Sequence, residues 1–337
     1  MAAEVLCTLP LPEPFPITVS ARASLRVLGR LPGHDELCAE LEQRQVDVLC
    51  PQLRDPIDES VLDAGLPRLR CVSIYAAGFD NIDISAATER GIAVGHTPGV
   101  LTDATADYAM GLIIATARRL CEGDRENRAG HFPGWEPSYM LGLDLHGALL
   151  GIVGFGRIGQ AVARRALAFS MRVTYFDSTE PPVASDLRDH VAAVPLAQLI
   201  AESDVVSLHC PLNDTTYHLM DETALRAMKN TAVLVNSSRG PVVDEPALVR
   251  ALQQGWIAGA GLDVYEREPR LAEGLANCAN AVLSPHMASA TVATRAAMSE
   301  LCAENALDAL AGKVPRHCVN PDAWERRAVP PLIDAHG

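Results

Sequence analysis

Short runs of apolar residues alternate with segments of helical periodicity over most of this chain. In the first hundred residues the apolar runs are "SLRVLG", "VDVLCP", "RCVSIYAAG" and "GIAVGHTP", and "DISAATERG" reads as a short helix before the last of them. Such alternation is typical of parallel strands joined by helices. We therefore predict a small α/β domain in this part of the chain.

A long helix is predicted from residue 102, where "TDATADYAMGLIIATARRLCEGDRENRAG" opens on a threonine and carries small and apolar residues at helical spacing. The next segment, "HFPGWEPSYMLGLDLHG", is rich in glycine, proline and aromatic residues and has neither period. That composition indicates an ordered arm or loop. The long helix is then a candidate connection between two domains.

Six further strands are predicted after the arm, in "ALLGIVGFG", "MRVTYFD", "SDVVSLHCPL", "TAVLVNSS", "AGAGLDVYE" and "NAVLSPH". A second long helix, "TRAAMSELCAENALDALAG", follows them. Strands separated by helices in this way predict a doubly wound parallel sheet. The expected fold class is α/β, with two Rossmann-like or flavodoxin-like βαβ domains and a cleft between them.

Composition and charge exclude several classes of partner. The net charge of −14 over 337 residues disfavours nucleic acid and anionic membranes as partners. We expect no signal peptide, because the N-terminus lacks a charged start followed by a continuous apolar core, and no membrane span, because no apolar run is long enough to cross a bilayer. The nine cysteines show neither metal-ligand spacing nor a disulfide framework, so we expect reduced thiols, a cytoplasmic location and no metal site.

A glycine-rich turn carries the most informative spacing. Gly154, Gly156 and Gly159 form G-x-G-x-x-G between a strand and a helix, and Asp177 ends the next strand eighteen residues later. This pattern predicts a pyrophosphate at the helix N-terminus, with the acid binding ribose hydroxyls. The carboxylate would repel a 2′-phosphate, which favours NAD over NADP. The alternative is a glycine turn that binds no ligand.

Three polar residues follow predicted strands, where ligands bind in open α/β sheets. An Arg239 fork could bind a carboxylate and polarise a neighbouring keto oxygen, and His286 could exchange a proton with that oxygen. Glu268 beside His286 would favour the protonated imidazole and fix its orientation. The alternatives are a loop-capping role for Arg239, a solvated position for Glu268 and a packing role for His286.

The chain resembles the D-isomer-specific 2-hydroxyacid dehydrogenase family from about residue 66 to 320. The matching motifs are "GFGRIG" with Asp177, "NSSRGPVVDEPAL", "GAGLDVYEREP" and "SPHMASAT", and, earlier, "AAGFDNIDISAATERGIAV" and "HTPGVLTDATADYA". The arm and the glycine turn are most similar to the glyoxylate/hydroxypyruvate reductase branch. The resemblance implies hydride transfer between NADH and a small 2-oxo acid such as glyoxylate or hydroxypyruvate.

The resemblance also implies roles for individual residues. His286 is expected to be the acid/base, Glu268 its partner and Arg239 the substrate-binding arginine. The other expected substrate contacts are Tyr75, Ala76, Ala77, Gly78 and Trp135. The expected cofactor contacts are Thr105, Gly154, Gly156, Arg157, Ile158, Gly159, Asp177, His209, Cys210, Pro211, Thr216, Ser237, Ser238, Asp263 and Ser289, with Asp263 near the nicotinamide carboxamide.

The domain organisation implied by the family is discontinuous. Residues 1–100 plus 292–337 are expected to form the substrate-binding (catalytic) domain, and residues 101–291 the NAD-binding Rossmann domain. A homodimer is expected, with the region of Trp135 as an arm that reaches the partner. His96 stands where many members carry asparagine.

Two alternative functions stay open. One is phosphite oxidation, although such enzymes carry a substrate-binding lysine where this chain has Ala77. The other is an NADH-sensing protein like the corepressors that share this fold, because such relatives can keep all three predicted catalytic residues.

Overall fold

The computed structural model describes residues 3–327 and 330–334. The chain forms two compact units: the first contains the residues up to Leu101 and those from Ala290 onward, and the second is Thr102–Ser289. The chain therefore passes from one unit to the other twice. The boundaries predicted from the sequence, at 100/101 and 291/292, fall next to these two crossing points.

All strands of both units lie in parallel sheets. The first unit has five strands in the order β2-β1-β3-β4-β5, and the second has seven in the order β12-β11-β10-β9-β6-β7-β8. The strands are β1 (Glu4–Cys7), β2 (Ser24–Val27), β3 (Val48–Cys50), β4 (Cys71–Ser73), β5 (Ala93–Gly95), β6 (Leu149–Val153), β7 (Arg172–Phe176), β8 (Val191–Ala193), β9 (Val205–Leu208), β10 (Val233–Asn236), β11 (Gly259–Leu262) and β12 (Ala281–Leu283).

Helices connect most of these strands. They are α1 (Phe15–Ser20), α2 (His34–Gln43), α3 (Glu59–Ala64), α4 (Ile84–Glu89), α5 (Thr102–Ala117), α6 (Leu120–Arg128), α7 (Arg157–Ala168), α8 (Leu196–Glu202), α9 (Glu222–Ala227), α10 (Glu245–Gln254), α11 (Val292–Leu310) and α12 (Asp322–Glu325). Short 3-10 turns lie at Gly240–Val242 and Leu275–Asn277. The prediction of two α/β domains with parallel sheets is confirmed.

The second unit is covered by helices on both faces of its sheet. One apolar layer contains residues of α5 and α7, and the other contains residues of α8, α9 and α10. Strands β9, β10 and β11 are buried along their whole length. Central strands of such a sheet contact helices on both sides, which is why their sequences are mostly apolar and do not alternate.

Two strands were missed by the sequence analysis. Strand β1 occupies the second position of the first sheet, but its four residues directly precede a proline-rich segment that reads as a loop. Strand β8 lies at an edge of the second sheet, and its last two residues are exposed. Both strands are too short to show a period, so only their pairing with neighbours defines them.

The prediction of a single long helix from residue 102 is wrong, because two helices, α5 and α6, are present. The break lies at Arg119, which has a left-handed backbone with φ 53°. The carbonyl of Ala117 accepts a hydrogen bond from the N–H of Leu143 in the arm at 2.8 Å. A Cβ on Gly142 would lie 2.4 Å from that same carbonyl. The returning arm therefore packs against the end of α5, and the glycine makes this approach possible.

Candidate active site

The glycine turn of the second unit joins β6 to α7. Gly154 has φ 90°, and a Cβ there would lie 2.5 Å from the backbone nitrogen of Cys210. A Cβ on Gly159 would lie 2.2 Å from the carbonyl of Gly154, so close packing requires glycine at both positions. In contrast, a Cβ on Gly156 would meet no atom within 4 Å. Gly156 is also the N-cap of α7, so open space lies beside a helix N-terminus that can bind a phosphate.

Asp177 follows β7 and contacts the same turn. Its carboxylate accepts hydrogen bonds from the N–H of Phe155 at 2.7 Å and from the N–H and hydroxyl of Thr179, both at 2.9 Å. Burial raises the pKa of Asp177, but these hydrogen bonds outweigh burial and hold the pKa below its ordinary value. The group is therefore an anion that both supports the turn and keeps acceptor capacity for a ligand.

The segment after β9 lies against the glycine turn. The N–H of His209 donates to the carbonyl of Val153 at 2.7 Å, and burial lowers the pKa of His209 to about 4, so this imidazole is neutral. Burial raises the pKa of Cys210 to about 11. Farther along, the hydroxyl of Thr216 donates to the carbonyl of Pro211 at 2.7 Å. The four residues of this segment that are predicted to contact the cofactor, His209, Cys210, Pro211 and Thr216, are therefore all uncharged.

The remaining predicted cofactor contacts are placed in several elements. Arg157 and Ile158 begin α7, and Thr105 is buried in the first turns of α5. Ser237 and Ser238 follow β10, where Ser238 binds the side chain of Asn236. The hydroxyl of Ser237 is buried and has no hydrogen-bond partner among the described residues, which suits a ligand-binding group. Ser289 is half-buried at the end of the unit.

The three predicted catalytic residues follow β10, β11 and β12, which are neighbours in the sheet. His286 Nδ1 lies 2.9 and 3.1 Å from the two carboxylate oxygens of Glu268. Burial raises the pKa of Glu268, but the hydrogen bond and charge of His286, with a smaller contribution from Arg239, hold it below its ordinary value. Glu268 is therefore ionised and can only accept, so Nδ1 carries the proton of this hydrogen bond.

His286 occupies a left-handed backbone conformation, with φ 51°. A non-glycine residue stays in this region when its surroundings hold it there. The fully buried carboxylate of Asp263 provides this hold: it accepts from the N–H groups of Met287 and Ala288, both at 2.8 Å, and from the hydroxyl of Ser284 at 2.7 Å. Asp263 was predicted to contact the nicotinamide, and in the structure its carboxylate closes the turn that carries His286.

Arg239 lies in the turn between β10 and the 3-10 turn. Its carbonyl accepts from the side chain of Asn236 at 2.8 Å, and its guanidinium donates to the carbonyl of Ser238 at 2.8 Å. These contacts fix the backbone on both sides of the arginine. The guanidinium is close enough to Glu268 to lower the pKa of that carboxyl, so the structure brings Arg239, Glu268 and His286 together.

Two residues that the sequence analysis did not select hold this group in place. Tyr265 is buried; its N–H donates to Glu268 at 3.2 Å and its hydroxyl donates to the carbonyl of Ser284 at 2.9 Å. Glu245 at the start of α10 is also buried, and its carboxylate accepts from the N–H groups of Glu266 and Ala272. For Glu245 the available signal was its place in the matching motif "NSSRGPVVDEPAL", but its burial, and so its need for partners, is visible only in the structure.

In the first unit, the predicted substrate loop Tyr75–Gly78 follows β4. Among the described residues, the N–H groups of these four residues form no hydrogen bond, although Tyr75 and Ala76 are buried. Neighbouring backbone N–H groups that have no partner in the protein can bind an anion. The Tyr75 hydroxyl donates to the carbonyl of Arg295 at 2.7 Å and is used within the unit.

Trp135 lies in the arm, at residues 131–147, where the structure has neither helix nor strand. Its side chain is 85% exposed. The described residues contain no cluster of His, Cys, Asp and Glu suited to a metal ion. No helix within the described ranges is long and apolar enough to cross a membrane.

Comparison with known families and proteins gives consistent similarities. The model of the family described as D-isomer specific 2-hydroxyacid dehydrogenase, NAD binding domain, matches residues 110–288. The glyoxylate reductase of Korarchaeum cryptofilum is 50% identical over 288 residues, which cover 84% of this chain and 86% of that protein. The glyoxylate reductase of Thermococcus litoralis is 48% identical over 285 residues, or 83% of this chain and 85% of that protein.

Solved structures extend the similarity to nearly the whole chain. A glyoxylate reductase from Paecilomyes thermophila has a TM-score of 0.85 at 34% identity and covers 97% of this chain and 99% of its own. An NADPH-dependent glyoxylate/hydroxypyruvate reductase from Sinorhizobium meliloti, in complex with NADP and malonate, also has a TM-score of 0.85, at 33% identity. The latter covers 98% of this chain and 100% of its own.

Proposed function

The chain belongs to the D-isomer specific 2-hydroxyacid dehydrogenase family and is an oxidoreductase of 2-hydroxy acids, and we propose that it reduces glyoxylate or hydroxypyruvate with NADH. The observation that carries this proposal is the pair of Glu268 and His286, held with Nδ1 protonated at the end of β12. The relatives named glyoxylate reductase support the choice of small acids.

The second unit carries the residues that exchange a proton with the substrate oxygen. His286 Nε2 donates a proton to the substrate oxygen during reduction and takes it back in the reverse direction. Glu268 stabilises the imidazolium and holds the ring in one orientation, because its ionised carboxylate accepts from Nδ1. Arg239 binds the carboxylate and polarises the keto oxygen next to it. NADH, when bound, supplies the hydride.

The carboxylate of the substrate is the anion that the first unit binds. The N–H groups of Tyr75, Ala76, Ala77 and Gly78 are the donors, and small residues at three of these positions allow a close approach of the acid. We accordingly assign substrate binding to the first unit and NAD binding to the second. Trp135 would contact the substrate from the arm of a second copy.

The cofactor assignment rests on the glycine turn and Asp177. Open space at Gly156 beside the start of α7 fits a pyrophosphate, and the ionised Asp177 fits ribose hydroxyls. A 2′-phosphate would meet this negative charge, so NADH is favoured over NADPH. The relative from Sinorhizobium meliloti is NADPH-dependent, which makes the preference a property to measure in this chain.

A homodimer is supported by the arm and its surroundings. Leu120, Phe132, Trp135 and Leu141 expose between 55% and 85% of their side chains in one unit of the chain. Large exposed apolar side chains of this kind mark association surfaces. Light scattering of the purified protein tests the dimer. Nine free cysteines support a reducing, cytoplasmic location.

The test of the function is the initial rate of NADH and NADPH oxidation with glyoxylate, hydroxypyruvate, pyruvate and a bulkier 2-oxo acid. The proposal expects turnover to be fastest with NADH and one of the first two acids. NAD reduction by phosphite, without turnover of any acid, would establish the phosphite alternative. Tight NADH binding without any turnover would favour the sensing alternative.

A further inference from the structure

The proposed carboxylate-binding loop depends on the direction of its N–H groups. Two carbonyls of the loop are paired within the first unit: that of Ala76 accepts from the N–H of Thr97 at 2.8 Å, and that of Ala77 lies 2.8 Å from His96 Nδ1. A carbonyl can only accept, so His96 Nδ1 carries a proton and donates it to Ala77.

The Ala77 carbonyl and the Gly78 N–H belong to one peptide group. This peptide is trans, so its C=O and N–H point in opposite directions. A hydrogen bond at the oxygen therefore directs the Gly78 N–H away from His96. It also polarises the peptide, which makes this N–H a stronger donor. Glycine itself imposes little preference on the peptide orientation, so the imidazole provides the constraint.

His96 is held firmly enough to do this. Its N–H donates to the carbonyl of His317 at 3.1 Å, and its carbonyl accepts from the side chain of Asn305 at 2.9 Å. Asn305 is fully buried. The ring of Phe79 meets the imidazole edge to face, at 5.5 Å between centroids and 82° between planes. Both the backbone and the ring of His96 are thus supported by other elements of the unit.

We propose that His96 is a positioning residue for substrate binding, which fixes and polarises the Gly78 N–H that receives the carboxylate of the 2-oxo acid. This inference rests on the proposed function, because it takes the anion at the loop to be the substrate. A side chain outside the loop then sets the affinity for every 2-oxo acid, because all of them carry the carboxylate that the loop binds.

The test compares His96→Asn with His96→Leu. The side-chain nitrogen of asparagine is bonded to Cγ, as Nδ1 of histidine is, and it can donate a hydrogen bond. Leucine has the same branched shape as asparagine but has no donor. His96→Leu should raise KM for glyoxylate and hydroxypyruvate equally, by about tenfold, since the half-buried carbonyl of Ala77 loses its donor. The inhibition constant of oxamate should rise by the same factor, and kcat and the Kd of NADH should change by less than about threefold. His96→Asn should restore KM to within about twofold of the parent.

His96→Ala serves as the second variant if leucine prevents folding, because it removes the same donor without adding bulk. Equal KM values for the asparagine, leucine and alanine variants would overturn the proposal for His96. The proposed function would still stand in that case, because the parent protein is active. A fall in kcat at constant KM would also overturn it. A parent that turns over no 2-oxo acid would reject the proposed function and this inference together.

Discussion

The turn that carries His286 and the loop Tyr75–Gly78 both follow a strand of a parallel sheet, yet they use the backbone in opposite ways. In the turn, the N–H groups of His286, Met287 and Ala288 are all paired with Asp263, the first with its backbone carbonyl and the other two with its carboxylate. In the loop, the described structure pairs none of the four. The backbone donors of the turn hold one side chain in place, whereas those of the loop are the donors that we propose for the substrate carboxylate.

This difference predicts where substitutions act. A change in the turn displaces the imidazole and reduces kcat, because proton transfer requires hydrogen-bond distance. A change around the loop alters the direction of the donors and raises KM, because binding of the carboxylate is weakened in the ground state as well as in the transition state.

The largest effect is expected for His286→Ala. Loss of the acid/base should lower kcat by about 10²-fold or more, because the substrate oxygen receives no proton. The Kd of NADH should stay within about threefold of the parent, since the glycine turn is untouched. Steady-state rates and NADH fluorescence titration measure both quantities. Unchanged turnover would reject the acid/base role of His286. It would also reject the view that this turn serves proton transfer.

The second-largest effect is expected for Asp177→Ala, because the carboxylate of Asp177 has two roles. Asp177 holds the Phe155 N–H of the glycine turn and is proposed to bind the ribose. Asp177→Ala should raise the Kd of NADH by about 10- to 100-fold, the scale of one or two hydrogen bonds to a charged group. NADPH should lose much less, because its 2′-phosphate no longer meets a negative charge. An equal loss for the two cofactors would mean that Asp177 acts only by supporting the turn, in the way Asp263 does.

The sequence was sufficient where function depends on side chains at fixed spacing. Gly154, Asp177, Glu268 and His286 follow strands whose apolar runs are easily recognised, and the structure brings the last two into contact. It was insufficient where a contact depends on the backbone. At the break near Arg119, the carbonyl of Ala117 binds the N–H of Leu143 in the distant arm, and the pairing of Ala77 with His96 crosses from one strand end to the next. No local pattern encodes such contacts.

The case of Asp263 shows the same limit within a recognised motif. Its position in "GAGLDVYEREP" predicts a contact with the nicotinamide, and that contact stays a prediction. The structure shows instead three hydrogen bonds to residues 284–288, about twenty positions later in the chain. Motif spacing identifies the residue, but only the fold shows which groups its carboxylate holds.

Asp263→Asn tests whether the turn is held by this carboxylate. The amide nitrogen cannot accept, so one donor of the turn is left buried without a partner. The free energy of unfolding should fall by about 1–3 kcal/mol. Turnover should fall as well, with KM changed less than kcat. Ser284→Ala is the matched control, because it removes only the third donor to the same carboxylate. A loss of stability with unchanged kcat would show that Asp263 stabilises the turn but does not position His286.

The smallest effects come from a pair of tyrosines, one in each region. Tyr265 donates to the Ser284 carbonyl before the His286 turn at 2.9 Å, and Tyr75 donates to the Arg295 carbonyl beside the loop at 2.7 Å. Replacing either with phenylalanine deletes one buried hydroxyl, so each should lower the free energy of unfolding by about 1 kcal/mol.

The two phenylalanine variants should differ in kinetics, although they cost similar stability. Tyr265→Phe loosens the strand end that carries His286 and should reduce kcat by about threefold, with little change in KM. Tyr75→Phe acts on the loop that binds the carboxylate, so any change should be in KM. Urea unfolding together with steady-state kinetics of both variants measures this split. Matching kinetic changes in the two variants would remove the distinction between a turn that places a side chain and a loop that presents its backbone.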